Sequence, residues 1–128
     1  MLGYVTIGTN DLPRAAAFYE ELAKELGVPR MMESDGFVAW GEAGSPAAGL
    51  GVTKPFNGEA ASVGNGVMVA LAAKDRAQVD RLHAKALALG GTCEGPPGVR
   101  MPGFYAAYFR DLDGNKLNAF VMEQPPAG

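Results

Sequence analysis

The sequence has a single cysteine, Cys93, so no disulfide can form within the chain. A reducing, cytoplasmic location is the expectation that follows. It also has a single histidine, His83, which excludes a metal site built on two histidines of one chain. Basic residues are few and unclustered, the net charge is -3 and the pI is about 5.1. A nucleic-acid partner is therefore not expected. No apolar run approaches the roughly 20 residues that cross a bilayer. No basic, then apolar, leader pattern precedes the first strand-like segment, so neither a membrane partner nor a leader is expected. What is present is a 128-residue chain with 48% apolar residues. That is enough to bury a core in one domain.

The halves repeat one another. With the chain shifted by 64 residues, Tyr4-Val5 lies over Met68-Val69, Ile7 over Leu71, Asp11 over Asp75, Phe18 over Leu82 and Gly27 over Gly91. Each half reads as a short strand, a capped amphipathic helix and a terminating glycine. Residues 4–8 form a β-branched run. Asn10 or Asp11 can then accept from the free N–H groups of a helix, and Pro13 suits its first turn. Leu12, Ala15, Ala16, Tyr19, Leu22, Ala23 and Leu26 recur at three- and four-residue spacing and draw one apolar stripe. Gly27 suits a left-handed cap. In the second half residues 67–72 form the strand, Asp75 the cap, and Val79, Leu82, Ala86 and Leu89 the stripe. Helices are expected near 11–26 and 75–89.

Strand candidates follow each helix: 37–41 and 50–53, then 92–94, 104–110 and 116–122. Residues 111–115 form a hairpin turn between the last two. Residues 41–49 and 95–103 read as loops, the second stiffened by Pro96, Pro97 and Pro102. The tail 124–128 is expected to fray. The fold class is α+β: two tandem βαβββ modules, about 1–60 and 64–123, related by a pseudo-twofold axis. Their open sheet faces are expected to form a cup-shaped mixed β-sheet around a pocket.

Three stretches carry a resemblance to a known family: Tyr4 to Gly8 with Asn10 to Tyr19, Gly64 to Ala70, and Phe104 to Asn118. The D-L-x-R-A-x-x-F-Y helix opening and the late Y-x-x-x-F-x-D-x-D-G-N turn resemble those of the glyoxalase/bleomycin resistance/extradiol dioxygenase (vicinal oxygen chelate) superfamily. Members with known chemistry hold a divalent metal in the cup, where it chelates two substrate oxygens and stabilises developing negative charge. The resemblance places their His ligands at Tyr4 and Met68 and their Glu ligands at Asn118 and near Gly51. A phenol, a thioether, a neutral amide and a glycine are poor replacements. The expectation is accordingly no metal and no cofactor.

Tyr4, Met68 and Asn118 are then candidates to line a small-molecule pocket, or to fill the space a metal has left. Trp40 reads either as core or as a ligand platform. Arg100 is either solvated or an anion anchor, since its guanidinium fork matches carboxylate and phosphate. Tyr105, Ala107 and Phe109 share one face of their strand, and Phe104, Ala106, Tyr108 and Arg110 the other. Alternation does not say which face is which, and Tyr105 is placed on the cup side. His83 reads as a helix histidine at the core edge, or else a base. Cys93 reads as a small buried residue with no basic neighbour to activate it. Asp111 and Asp113 lack the spacing of a calcium loop.

The leading expectation is a small-molecule-binding protein of this superfamily with an eroded metal site, working as a homodimer. Catalytic residues are not identifiable. If the chain is an enzyme, the resemblance implies a lyase or isomerase. The alternatives are a metal-dependent, lactoylglutathione-lyase-like enzyme completed by a second chain, and a structural module with a filled cup.

Overall fold

The computed structural model describes residues 1–123; the tail expected to fray lies outside the described residues. The element order is β1 (Tyr4–Gly8), α1 (Leu12–Leu26), β2 (Arg30–Ser34), β3 (Phe37–Trp40), β4 (Gly49–Thr53), β5 (Val69–Ala72), α2 (Arg76–Ala88), β6 (Thr92–Met101), β7 (Phe104–Arg110) and β8 (Lys116–Met122). The strands make two four-stranded sheets, ordered β1-β4-β3-β2 and β5-β8-β7-β6. The two orders are the same, so the 64-residue repeat is a repeat of topology. In each sheet the first strand runs parallel to the last, and the remaining pairs are antiparallel.

Both helices start and stop where their caps direct. Asp11 accepts from Arg14 N–H, and Asp75 from Gln78 N–H, each covering a backbone donor that has no partner inside the helix. Gly27 ends α1 with φ 72°, a conformation that costs a residue with a Cβ. The apolar stripes are the core. Phe18, Leu22, Val79, Leu82 and Ala86 are almost fully buried, with Val52, Ala107, Phe109, Leu117 and Ala119 supplied by the sheets.

Two strands differ from expectation. Residues 30–34 form an edge strand exposed at every position, so they carry no apolar alternation to read. The stretch 95–101, expected as loop, extends β6. Its pairing with β7 slips at three places, and Pro96 and Pro97 sit within the second of these, between Gly95 and Gly98. Pro cannot donate to a ladder, but an edge strand tolerates it.

The modules meet through their helices rather than through their sheets. α1 packs on α2, and Gln78 Nε2 donates to the Glu25 carbonyl at 2.9 Å while Arg81 Nε pairs with the Glu25 carboxylate at 2.6 Å. The 111–115 turn then locks the second module onto the first. Asp111 accepts from Tyr19 Oη at 2.6 Å, Asn115 Nδ2 donates to Gly8 O at 2.9 Å, and Asp113 accepts from Thr9 Oγ1 at 2.6 Å and from Asn10 N–H at 2.9 Å. Burial and the neighbouring carboxylate push the Tyr19 phenol well above its ordinary pKa, so it stays a donor. No helix among the described residues is long and apolar enough to cross a membrane.

Candidate functional site

Among the described residues the helices cover one face of each sheet, and no helix covers the other, open face. Strand alternation and burial identify the residues on it. In the first sheet Ile7, Val38, Trp40 and Val52 turn to the helices and are buried, so Tyr4, Thr6, Phe37 and Ala39 take the open side. In the second sheet Phe109, Leu117, Ala119 and Val121 turn inward. Asn118, Phe120, Tyr108, Arg110 and Lys116 therefore share the open side. The ladder sets Tyr108 opposite Asn118, Arg110 opposite Lys116, and Ala70 beside Asn118.

These placements sort the expected site residues. Met68 and Asn118 lie on the open face of the second sheet. Tyr4 lies on the open face of the first, 66% exposed, so within one chain it belongs to a different sheet from its expected companions. Arg100 joins the second face, its guanidinium 5.4 Å from the Tyr108 ring centroid. The placement of Tyr105 on the cup side needs correction, and of the two readings of Trp40 the structure has the core one, not the pocket-lining one. Tyr105 faces α2, where its hydroxyl donates to Asp80 at 2.6 Å and Arg76 covers its ring at 4.7 Å. Trp40 is buried against Tyr19 on the helix side and donates its Nε1–H to Glu20. A large indole gains more by completing the core beneath α1 than by standing on an open sheet.

Tyr108, Arg110, Lys116 and Phe37 are the open-face residues that the sequence reading did not single out. Lys116 Nζ stands 5.6 Å from the Tyr108 ring centroid, on a ring that Arg100 also contacts. Arg110 Nε pairs with Glu94 at 2.5 Å, which holds that carboxyl below its usual range. Its Nη1 donates to Gly114 O at 3.0 Å. Beside them, Val63 to Met68 wall a cleft of about 500 Å³ that Arg110 and Lys116 complete.

The four positions that the resemblance assigns to metal ligands do not fit a divalent metal. The donor set is a phenol, a thioether and a neutral amide. At Gly51 the Phe37 ring occupies the space a ligand side chain would enter: a Cβ built there would stand 2.5 Å from its Cε2 and 2.8 Å from its Cζ, so the ring would have to move. The Phe37 ring thus fills the place of the first-half carboxylate. Among the described residues no group of three or more His, Cys, Asp or Glu side chains stands close enough to hold an ion. Asn118 is 2% exposed and makes no side-chain hydrogen bond among the described residues, and its Oδ1 is fully buried without a partner. Such an orphan costs roughly 1–3 kcal/mol unless something satisfies it.

His83 and Cys93 lie away from this face, on the α2 side. The histidine is buried as expected, but Cys93 is exposed, and His83 Nε2 stands 3.3 Å from its sulfur. The fold brings together two residues ten apart in sequence, which corrects the reading of Cys93 as buried and isolated. Burial holds the His83 imidazole below its ordinary value of 6.5, against a smaller opposing pull from Asp80. The neutral ring is the form that folding favours. Its contribution is complete above the ordinary pKa and is lost as pH falls through the lowered one. Thermal unfolding from about pH 7 to about pH 5 should therefore cost the parent more stability than His83→Gln. An equal loss in both proteins would contradict this.

The comparisons agree with the geometry. The sequence model of the Glyoxalase/Bleomycin resistance protein/Dioxygenase superfamily matches residues 1–119. A crystal structure of a glyoxalase/bleomycin resistance protein from Albidiferax ferrireducens is 40% identical over 98% of this chain and 99% of its own, with a TM-score of 0.86. A glyoxalase-related enzyme from Fulvimarina pelagi shares the fold at 21% identity and a TM-score of 0.75, over 100% and 92% of the two chains. Lactoylglutathione lyase from Agrobacterium tumefaciens shares it at 21% identity and a TM-score of 0.68, over 94% and 92%. No functionally curated protein matches the chain. With two βαβββ modules of one topology and a family match over nearly its whole length, the chain belongs to the glyoxalase/bleomycin resistance protein/dioxygenase superfamily.

Proposed function

We propose that this chain binds a small molecule on its open sheet faces without a metal ion, as a cytoplasmic homodimer. The observation that carries the reading is the buried, unpartnered Asn118 Oδ1 on the floor of the second face. A ligand reaches it by displacing the side chains of Tyr108 and Lys116. Neither is held by a side-chain hydrogen bond among the described residues; Arg100 and Lys116 both stand over the Tyr108 ring. Met68 supplies an adaptable apolar wall.

Two facts favour a dimer. Each open face is half a cup. Tyr4, Met31, Met68 and Met122 are large apolar side chains left between 41% and 68% exposed, Tyr4 and Met68 on the faces themselves. Pairing the first face of one copy with the second face of another covers them and sets Tyr4 of one chain near Asn118 of the other. The single cysteine fits a reducing compartment.

The reading is tested by calorimetric titration of a ligand found through thermal shift among small hydroxy acids, thiol conjugates and aromatic drugs. Tyr4→Phe and Asn118→Ala should each weaken binding about two- to tenfold, the effect of one hydrogen bond to a neutral group. If both variants bind as tightly as the parent, the ligand sits elsewhere.

A further inference from the structure

Nothing in the reading above says which chemical class of ligand the second face takes. The charge on that face does. The chain as a whole carries -3, yet Arg100, Arg110 and Lys116 stand together on one sheet face with Glu94 as the carboxylate paired among them. Two of these cations wall the cleft of about 500 Å³, a size suited to a small organic molecule. Their bonding leaves donors to spare. Arg110 spends Nε on Glu94 and Nη1 on Gly114 O, which leaves its Nη2. Lys116 Nζ has no hydrogen-bond or ion-pair partner among the described residues and stands 5.6 Å from the centroid of the Tyr108 ring. The opposite wall is the turn closed by Val67 N–H on Gly64 O, with Asn65 and Gly66 at its tip. Among the described residues no acidic side chain lines the cleft.

We propose that this cleft binds the oxyanion group of the ligand, a carboxylate or a phosphate, through Lys116 and Arg110. The proposal rests on the reading of the open face as a ligand site and adds a shape to it. Lys116 and Asn118 are two residues apart on one strand and face the same way. A ligand serving both carries its oxyanion about 7 Å from a neutral polar group. Charge-assisted hydrogen bonds in a walled cleft are stronger than neutral ones, so the anion anchors and Asn118 discriminates.

The test is a titration of inorganic phosphate, and separately of acetate, into the isotope-labelled full chain at fixed ionic strength set with sodium chloride. Amide resonances of residues 64–67, 110 and 116 should shift and saturate with at least one of the two anions. The tighter of the two names the class. Lys116→Gln should weaken that binding roughly tenfold or more. Shifts that do not saturate with either anion overturn the proposal, as does binding indifferent to Lys116→Gln. Neither outcome touches the reading of Tyr4 and Asn118 as ligand contacts, which stands or falls on their own variants.

Discussion

Asp111→Ala is expected to destabilise the fold by about 3 kcal/mol or more, lowering the unfolding temperature by roughly 10 °C. Asp111 is 6% exposed and accepts four hydrogen bonds. Its Oδ1 takes the backbone N–H groups of Asp113 and Asn115, both at 2.9 Å. Its Oδ2 takes Tyr19 Oη at 2.6 Å and Asn115 Nδ2 at 3.0 Å. Truncation removes an acceptor from all four donors, three of them in the turn that fastens the second module to the first, and of these only Asn115 Nδ2 keeps another, Gly8 O. The cost is that of stranded polar groups rather than of one lost bond. Tyr19→Phe removes a single donor and should cost only about 1–2 kcal/mol. Urea unfolding of both variants beside the parent decides the matter. A loss below about 1 kcal/mol for Asp111→Ala would mean that the turn is an ordinary hairpin and not a clasp.

Ala70→Glu is expected to weaken dimerisation by about a hundredfold or more while leaving each chain folded. Ala70 is exposed on the open face beside Asn118, and its methyl group supports nothing in the core. A glutamate there stays hydrated in the single chain, so chain stability should change by less than about 0.5 kcal/mol. In a face-to-face dimer the same carboxylate must give up its hydration, and that cost falls on association alone. Light scattering across a dilution series should show the parent as a dimer at tens of micromolar and the variant as a monomer with unchanged circular dichroism. A dimeric variant, or a monomeric parent, would place the interface elsewhere or remove it.

Much of the fold was legible because local chemistry and burial agree. Asp11, Pro13 and Gly27 delimit α1, and its apolar stripe is the buried face. β2 was not legible, since an exposed edge strand has no alternation. The extension of β6 was hidden by its prolines, which usually signal a loop and are here accommodated by slips in register.

The site was half legible. The resemblance placed Asn118 on the open face, but alternation alone left the neighbouring strand undecided. The hairpin settles it. A turn closed between Arg110 and Lys116 sets Tyr108 opposite Asn118, so a cup that holds Asn118 holds Tyr108 and not Tyr105. That signal was present in the sequence. The covering of Gly51 by Phe37, the contact of His83 with Cys93 and the orphaned Asn118 oxygen were not. Each depends on side-chain packing across the tertiary structure, to which local spacing is blind.

The central claim is that the open face works without a metal, and the metal content of the purified protein tests it most directly. Elemental analysis of the parent beside Asn118→Ala should find no Zn, Ni, Mn or Fe in stoichiometric amount in either. About one ion per chain in the parent, lost in Asn118→Ala or on substitution of Tyr4 or Met68, would contradict the account.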